Sequence, residues 1–139
     1  MGTSPGADLA ALLLNAAGRF PDRPALRQGG RTVSYAELER LSARTAGLLR
    51  EAGVRPGDRV GLMAPNTVVF PVLHYGLLRA GAVVVPMNPL LKAREVAYFL
   101  RDSGARLLLA HDTAAEGPRG ATAAGTACRG TPPAATPRR

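Results

Sequence analysis

The chain has 139 residues, enough for one domain or for part of a larger one. Its 46% hydrophobic and 20% charged residues match ordinary globular proteins, which argues against a chain that is disordered throughout. Eighteen basic and ten acidic residues give a net charge of +8. The single cysteine, Cys128, cannot form an intramolecular disulfide, and no Cys/His cluster has zinc-site spacing, so neither a disulfide-rich secreted scaffold nor a zinc module is predicted.

No apolar stretch is long enough to cross a membrane. The two longest, residues 68–78 and 80–87, are interrupted by prolines or a histidine and fall short of the ~20 residues that a span needs. The first residues place no basic segment ahead of an apolar one, so they do not resemble a signal peptide. We therefore expect a soluble, cytoplasmic protein.

A helix and a hairpin are predicted at the start of the chain. Asp8 can cap a helix over residues 9–18. One apolar stripe of this helix contains Leu9, Leu12, Leu13, Ala16 and Ala17. Two strand-like pieces follow at residues 25–28 and 31–34, and the Gly-Gly pair between them suits a two-residue hairpin turn.

The second predicted helix has the clearest start signal. Ser34 and Glu37 are spaced as a capping box, and Gly53 lies where a C-terminal cap glycine is expected. The predicted apolar face contains Leu38, Leu41, Thr45, Leu48, Leu49 and Ala52. A tight turn over residues 55–58 leads out of this helix.

Beyond residue 58, strands alternate with helices. The spacing predicts strands at 59–64, 82–87 and 106–110, and helices at 67–79 and 92–102. The run 82–87 shows no polar alternation, which is typical of a parallel strand buried on both faces. We predict an α/β fold with a parallel sheet of at least three strands, preceded by the helix–hairpin–helix segment.

The composition changes near Glu116. Residues 117–139 contain only Ala, Gly, Pro, Thr and Arg apart from Cys128. Such a segment has little to bury against the entropy cost of ordering, so we expect a folded part over residues 1–116 and a disordered tail over residues 117–139. The same few residue types are typical of GC-rich DNA translated out of frame. The hypothesis of a frameshifted tail fails if no other frame of the coding DNA continues the folded part.

Known catalytic motifs are absent from the sequence. It contains no dinucleotide-binding G-x-G-x-x-G, and Gly76 and Gly81 have phosphate-loop spacing without the lysine that must follow. His74 lies within an apolar helix and is interpreted as structural. His111 follows the last strand, where open α/β sheets bind ligands, but it has no partner visible in the sequence. We assign no catalytic, cofactor-binding or metal-binding residue.

Four segments in order resemble the adenylate-forming (AMP-binding) superfamily of acyl-CoA synthetases, nonribosomal adenylation domains and luciferases. They read TVSYAEL at 32–38, GVRPGDRV at 53–60, APN at 64–66 and LRAGAVVVPMNP at 78–89. The PMNP ending is more similar to fatty-acyl or aryl-CoA ligases, because adenylation domains tend to carry an acidic residue near Asn88. The resemblance covers residues 7–113 and implies the N-terminal subdomain of an acyl-CoA synthetase-like fold.

The resemblance implies that intact family members activate a carboxylic acid with ATP and Mg²⁺, forming an acyl-adenylate, and that most then transfer the acyl group to coenzyme A. The family's phosphate loop, adenine-binding segment, ribose-binding aspartate and catalytic lysine lie beyond the matched region. Lys92 is the only lysine and does not match the catalytic one. We therefore expect a truncated ligase that is inactive alone and binds no ATP, Mg²⁺ or CoA.

Two other functions stay open. In the first, the chain is an interaction module that associates with a ligase remainder or with an intact paralogue. In the second, which we disfavour, it binds nucleic acid through the four tail arginines, which have no aromatic side chain among them for base stacking. Nucleic-acid binding requires an affinity that falls steeply with salt and is lost with residues 117–139.

Overall fold

A computed structural model describes residues 5–132. In chain order the elements are α1 (Pro5–Arg19), β1 (Pro24–Gln28), β2 (Arg31–Ser34), α2 (Tyr35–Glu51), β3 (Arg59–Met63), α3 (Val69–Arg79), β4 (Val83–Pro86), α4 (Ala93–Ser103), β5 (Leu107–Ala110), α5 (Gly117–Ala124) and β6 (Ala127–Gly130). Within this part of the chain, no helix combines the length and the apolar character needed to span a membrane.

The predicted hairpin and the start of the second helix are confirmed. β1 and β2 pair antiparallel across a turn in which Gly29 has a φ of 57°, a conformation that favours glycine. The Ser34 side chain caps α2 by accepting a hydrogen bond from the Glu37 N–H at 3.2 Å. The Glu37 carboxylate does not complete a capping box, because it faces the Arg31 guanidinium at 3.4 Å instead.

The first helix differs from its prediction in two ways. It begins at Pro5, so Asp8 lies inside the helix and the predicted cap is wrong; a proline in the first turn costs no hydrogen bond and permits this earlier start. The predicted apolar stripe is also only partly buried. Leu13 is 3% exposed, but Leu9 and Leu12 are 49% and 61% exposed, because α1 lies at the surface and packs on α2 and α3 with one side only.

The four strands from β3 to β6 form one parallel sheet in the order β4-β3-β5-β6. The predicted α/β class and parallel sheet are thus confirmed. Helices α2 and α3 contribute to the core on one face, and α4 and α5 cover the other. The chain goes from β3 to β4 and then returns past β3 to β5, which creates a topological switch point between β3 and β5.

One strand prediction is wrong. β4 was expected to be buried on both faces, yet within residues 5–132 it is an edge strand paired with β3 alone, and Val83 is 50% exposed. The strand that is buried along its whole length is β5. The continuous apolar run correctly indicated a parallel strand, but it did not reveal that this strand lies at an edge of the sheet. The position of β4 depends on the crossover from β4 back to β5.

The prediction of a disordered tail is wrong over residues 117–130, which form α5 and β6. The small residues of α5 allow a close approach to α4: a Cβ added to Gly120 would lie 2.5 Å from the Val96 Cβ, and Ala121 is fully buried. α4 therefore supplies the large apolar side chains that the tail lacks. Residues 133–139 lie outside the described residues, and the frameshift origin stays a hypothesis.

Helices α2 and α3 meet at Gly76. A Cβ added to Gly76 would lie 2.5 Å from the Thr45 Cγ2, so the two helix backbones approach more closely than any larger residue permits. The Thr45 hydroxyl is buried and donates to the Leu41 carbonyl at 3.0 Å, which leaves its methyl group free to face Gly76. An ion pair between Arg79 and Glu39 at 2.8 Å joins the same two helices.

We predict that Gly76→Ala lowers the free energy of unfolding by about 1–3 kcal/mol, because the added methyl group overpacks the contact with Thr45. Gly47→Ala is the matched control, since Gly47 is also inside a helix but has no atom within 4 Å of the added Cβ. The control should raise stability by up to about 1 kcal/mol. Urea unfolding followed by circular dichroism measures both, and equal effects would contradict the close approach.

We predict that Gly120→Ala lowers stability by about 1–3 kcal/mol, because the new methyl group would collide with Val96 and with the Ala93 carbonyl. Ala123→Ser, on the exposed side of α5, should have little effect. Urea unfolding of the two variants and the parent chain measures this. Unchanged stability in Gly120→Ala would mean that α5 does not pack on α4.

Candidate functional site

The place to look for a ligand site is the carboxyl edge of the sheet at the switch point between β3 and β5. In open α/β sheets, the loops that leave neighbouring strands in opposite directions open a crevice there. In this chain the two loops are residues 64–68, which lead to α3, and residues 111–116, which lead to α5. Residues 87–92 follow β4 at the same edge.

His111 lies at this edge, as predicted, and its hydrogen bonds are local. Its backbone N–H donates to the Met63 carbonyl at 2.8 Å, which continues the pairing of β3 with β5. The ring Nδ1 accepts from the Thr113 N–H at 3.2 Å and lies 2.9 Å from the Thr113 hydroxyl. The partner of His111, which the sequence does not reveal, is thus Thr113, two residues further along the chain. With Nδ1 as acceptor, the neutral ring carries its proton on Nε2.

Two other polar side chains of this edge also bind backbone groups. The Asn88 Oδ1 accepts from the Leu90 N–H at 2.9 Å, and the Glu116 Oε2 accepts from the Ala93 N–H at 3.4 Å. These contacts stabilise a turn and the start of α4, which begins with unsatisfied N–H groups. The side chains of His111, Asn88 and Glu116 are thus held by contacts within the protein.

The residues at this edge do not fit ATP phosphates, CoA phosphates or Mg²⁺. The loops that join β3 to α3, β4 to α4 and β5 to α5 contain no glycine, so none is a glycine-rich loop of the kind that wraps its backbone N–H groups around a phosphate. Over residues 5–132, no three His, Cys, Asp or Glu side chains are placed to hold a metal ion. Lys92 is exposed at the start of α4, and its backbone N–H donates to the Glu95 carboxylate at 2.9 Å.

His74 and Cys128 have structural surroundings. His74 is half-buried on α3, stacked on Phe70 at 5.8 Å and edge-on to Tyr75 at 5.9 Å between ring centroids. Burial lowers the pKa of His74 below its usual value. Cys128 is half-buried in β6, where burial raises the pKa of its thiol and so disfavours the reactive thiolate.

We predict that stability falls as the pH decreases through about 6.5, the usual histidine pKa, because the unfolded chain takes up a proton on His74 before the folded chain does. The contribution from neutral His74 is fully present above that pH. His74→Phe should reduce the decline, while the control Tyr75→Phe should retain it. Urea unfolding at about pH 7.5 and about pH 5.5 measures the difference. The same decline in His74→Phe would contradict the assignment.

Comparison with known proteins identifies the family to which this fold belongs. The chain matches the AMP-binding enzyme family over residues 13–134. A long-chain-fatty-acid–CoA ligase from Salmonella typhimurium is 41% identical over 102 residues, which cover 73% of this chain and 18% of the ligase. An oxalate–CoA ligase from Arabidopsis thaliana is 42% identical over 103 residues, which cover 73% of this chain and 20% of that protein. The chain thus spans about a fifth of these relatives' length.

The solved structures agree. A Mycobacterium tuberculosis fatty acyl CoA synthetase superimposes with a TM-score of 0.81 at 32% identity, over 88% of this chain and 26% of that one. The N-terminal domain of FACL13 from the same organism gives a TM-score of 0.80 at 33% identity, over 88% of this chain and 33% of that domain. The chain therefore belongs to the AMP-binding enzyme family, and its fold is that of the N-terminal subdomain of acyl-CoA synthetases.

Proposed function

We propose that this chain is a scaffold segment of an acyl-CoA synthetase-like ligase and does not activate a carboxylic acid by itself. The observation that carries the proposal is the self-contained carboxyl edge of the sheet. His111, Asn88 and Glu116 all bind backbone groups of the protein, and none of the three loops there contains a glycine. Membership of the family and a share of about a fifth of the relatives' length support the same conclusion.

The reaction of the intact ligase requires more charge-stabilising groups than we propose for this segment. A carboxylate oxygen attacks the α-phosphate of ATP, pyrophosphate leaves, and the CoA thiol then displaces AMP from the acyl-adenylate. Each step concentrates negative charge on phosphate oxygens, which must be met by backbone N–H groups, cations or a metal ion. We propose that this segment holds β3, β4 and β5 as a rigid platform for the residues that stabilise this negative charge.

We also propose that this segment does not determine which carboxylic acid a ligase uses. The relatives named for long-chain fatty acids and for oxalate are 41% and 42% identical to it over nearly the same length. A long acyl chain and a two-carbon dicarboxylate need pockets of opposite character. Similar identity to both favours a role for this segment that the two ligases share, and the acid of a cognate ligase is not determined by it.

We predict that the purified chain gives no exchange of labelled pyrophosphate into ATP with palmitate, benzoate or oxalate. The reason is that the loops at the carboxyl edge are not glycine-rich, and among residues 5–132 no three His, Cys, Asp or Glu side chains are grouped to hold a metal ion. The Salmonella typhimurium long-chain-fatty-acid–CoA ligase, assayed with palmitate in parallel, is the positive control. Saturable, acid-dependent exchange by the 139-residue chain would refute the proposed inactivity.

A second function, association with the remainder of a ligase, is favoured by a groove of about 570 Å³ between the C-terminal end of α2 and β6, which the exposed Leu48 lines. Nucleic-acid binding has no such support: among the tail arginines within the described residues, Arg119 faces Glu116 at 3.5 Å and Arg129 lies on β6. A location in the cytoplasm stays a prediction, which cell fractionation tests.

A further inference from the structure

The outward side of α4 presents an aromatic pair to solvent. Val96 and Leu100 of this helix are buried in the core. Because successive helix residues are about 100° apart, Tyr98 lies on the opposite side of the helix from both. Tyr98 is 62% exposed, and its ring meets that of the 41% exposed Phe99 edge-on, with 5.6 Å between the ring centroids. Exposed tyrosine is a residue type that protein–protein interfaces favour.

Two rows of opposite charge run along α4 on either side of Tyr98. Arg94 and Arg101, the basic row, lie about 40–60° around the helix from Tyr98 in one direction. Glu95 and Asp102, the acidic row, lie about 40–60° from it in the other direction. All four residues are exposed, and none of them forms an ion pair within residues 5–132. The two rows thus have charges that the described part of the chain does not neutralise.

Two members of these rows are held in place by neutral backbone groups. The Glu95 Oε2 accepts from the Lys92 N–H at 2.9 Å, and the Arg101 guanidinium donates to the Ala123 carbonyl. Each side chain keeps its charge and can form a further bond, since a carboxylate has a second oxygen and a guanidinium has other N–H groups. Side chains that are already ordered lose less conformational entropy when they bind. The rows are therefore partly pre-organised for a charged partner.

The charge pattern identifies a second copy of α4 as a matching partner. When two α4 helices pack side by side and parallel, a two-fold axis that runs between them relates the copies, and each basic row lies beside the acidic row of the other copy. Arg94 then faces Glu95 of the second copy, one residue further along the helix. Arg101 faces Asp102 of the second copy in the same way, and Tyr98 meets Tyr98 between the rows. This arrangement is self-complementary, as the interface of a two-fold dimer must be.

The opposite orientation does not fit. In an antiparallel pair, the two-fold axis lies across the helices and brings each row beside the same row of the other copy, where like charges repel. The net charge of +8 opposes any association of two copies that does not depend on such local pairing. We infer that the outward side of α4 binds a second copy of this chain in a parallel, two-fold symmetric pair.

The small area of this contact makes the dimer weak. α4 has 11 residues and is about 16 Å long. One such helix face is much smaller than the roughly 800 Å² per partner of a stable interface. We therefore expect a dissociation constant of about 0.1–1 mM at low salt, and a weaker dimer at high salt because the ion pairs are exposed. The inference does not depend on the proposed inactivity of the chain.

Sedimentation equilibrium of the 139-residue chain, at about 20 µM to about 1 mM protein, measures this self-association. Arg94→Glu with Arg101→Glu makes both rows acidic, and Glu95→Arg with Asp102→Arg makes both rows basic. Each double variant alone should self-associate at least about tenfold more weakly than the parent chain, because facing charges are then alike. An equimolar mixture of the two should associate as the parent chain does, because every facing pair is again opposite in charge.

The matched control is Arg40→Glu with Arg44→Glu, which changes the net charge equally on the exposed face of α2. It should self-associate like the parent chain and should not pair with the variant whose rows are both basic. Tyr98→Ala changes one exposed side chain, leaves the core intact, and should weaken self-association by about fivefold or more.

A parent chain that stays monomeric at about 1 mM would overturn the inference. Undiminished self-association of Tyr98→Ala, or of the variant whose rows are both acidic, would overturn it too. The same holds if the two double variants, each shown to be folded by circular dichroism, stay monomeric when they are mixed.

Discussion

Cover on both faces of a parallel sheet is the constraint on which this structure depends. Over β3 the cover is complete: α2 and α3 pack on one face and α4 on the other, and the side chains of Val60, Leu62 and Met63 are fully buried. Over β6 the cover is incomplete, because α5 packs on one face and the other face opens into the groove. The central strand β3 is therefore packed on both faces, whereas one face of β6 is left uncovered.

The same constraint underlies the proposed role of the chain as a platform. The loops at the carboxyl edge are short, and three of their polar side chains are held by backbone groups: His111 by Thr113, Asn88 by Leu90, and Glu116 by Ala93 at the start of α4. Even a distant contact serves this rigidity: the Gln28 side chain of the hairpin accepts from the Val68 N–H at 2.8 Å, just before α3. Such an edge can support reactive residues supplied by the rest of a ligase without contributing them.

Local patterns predicted most elements, and long-range contacts decided the rest. Apart from α1, the bounds of the predicted helices and strands agree with the structure to within about two residues. The errors concern position in the fold: β4 is at an edge because of a crossover, and α5 is ordered because Val96 of α4 fills the space beside Gly120. The four matched segments were enough to indicate the family, whereas the groove could be found only from coordinates, since Leu48 has the spacing of a buried helix position.

The central claim is that these 139 residues support the chemistry of a ligase without binding its intermediate. Isothermal titration of the chain with a non-hydrolysable acyl-adenylate analogue, in the presence of Mg²⁺, tests that claim most directly. The account predicts no binding heat for the chain alone and clear binding by an intact relative measured in parallel. Saturable binding of one analogue per chain would contradict it.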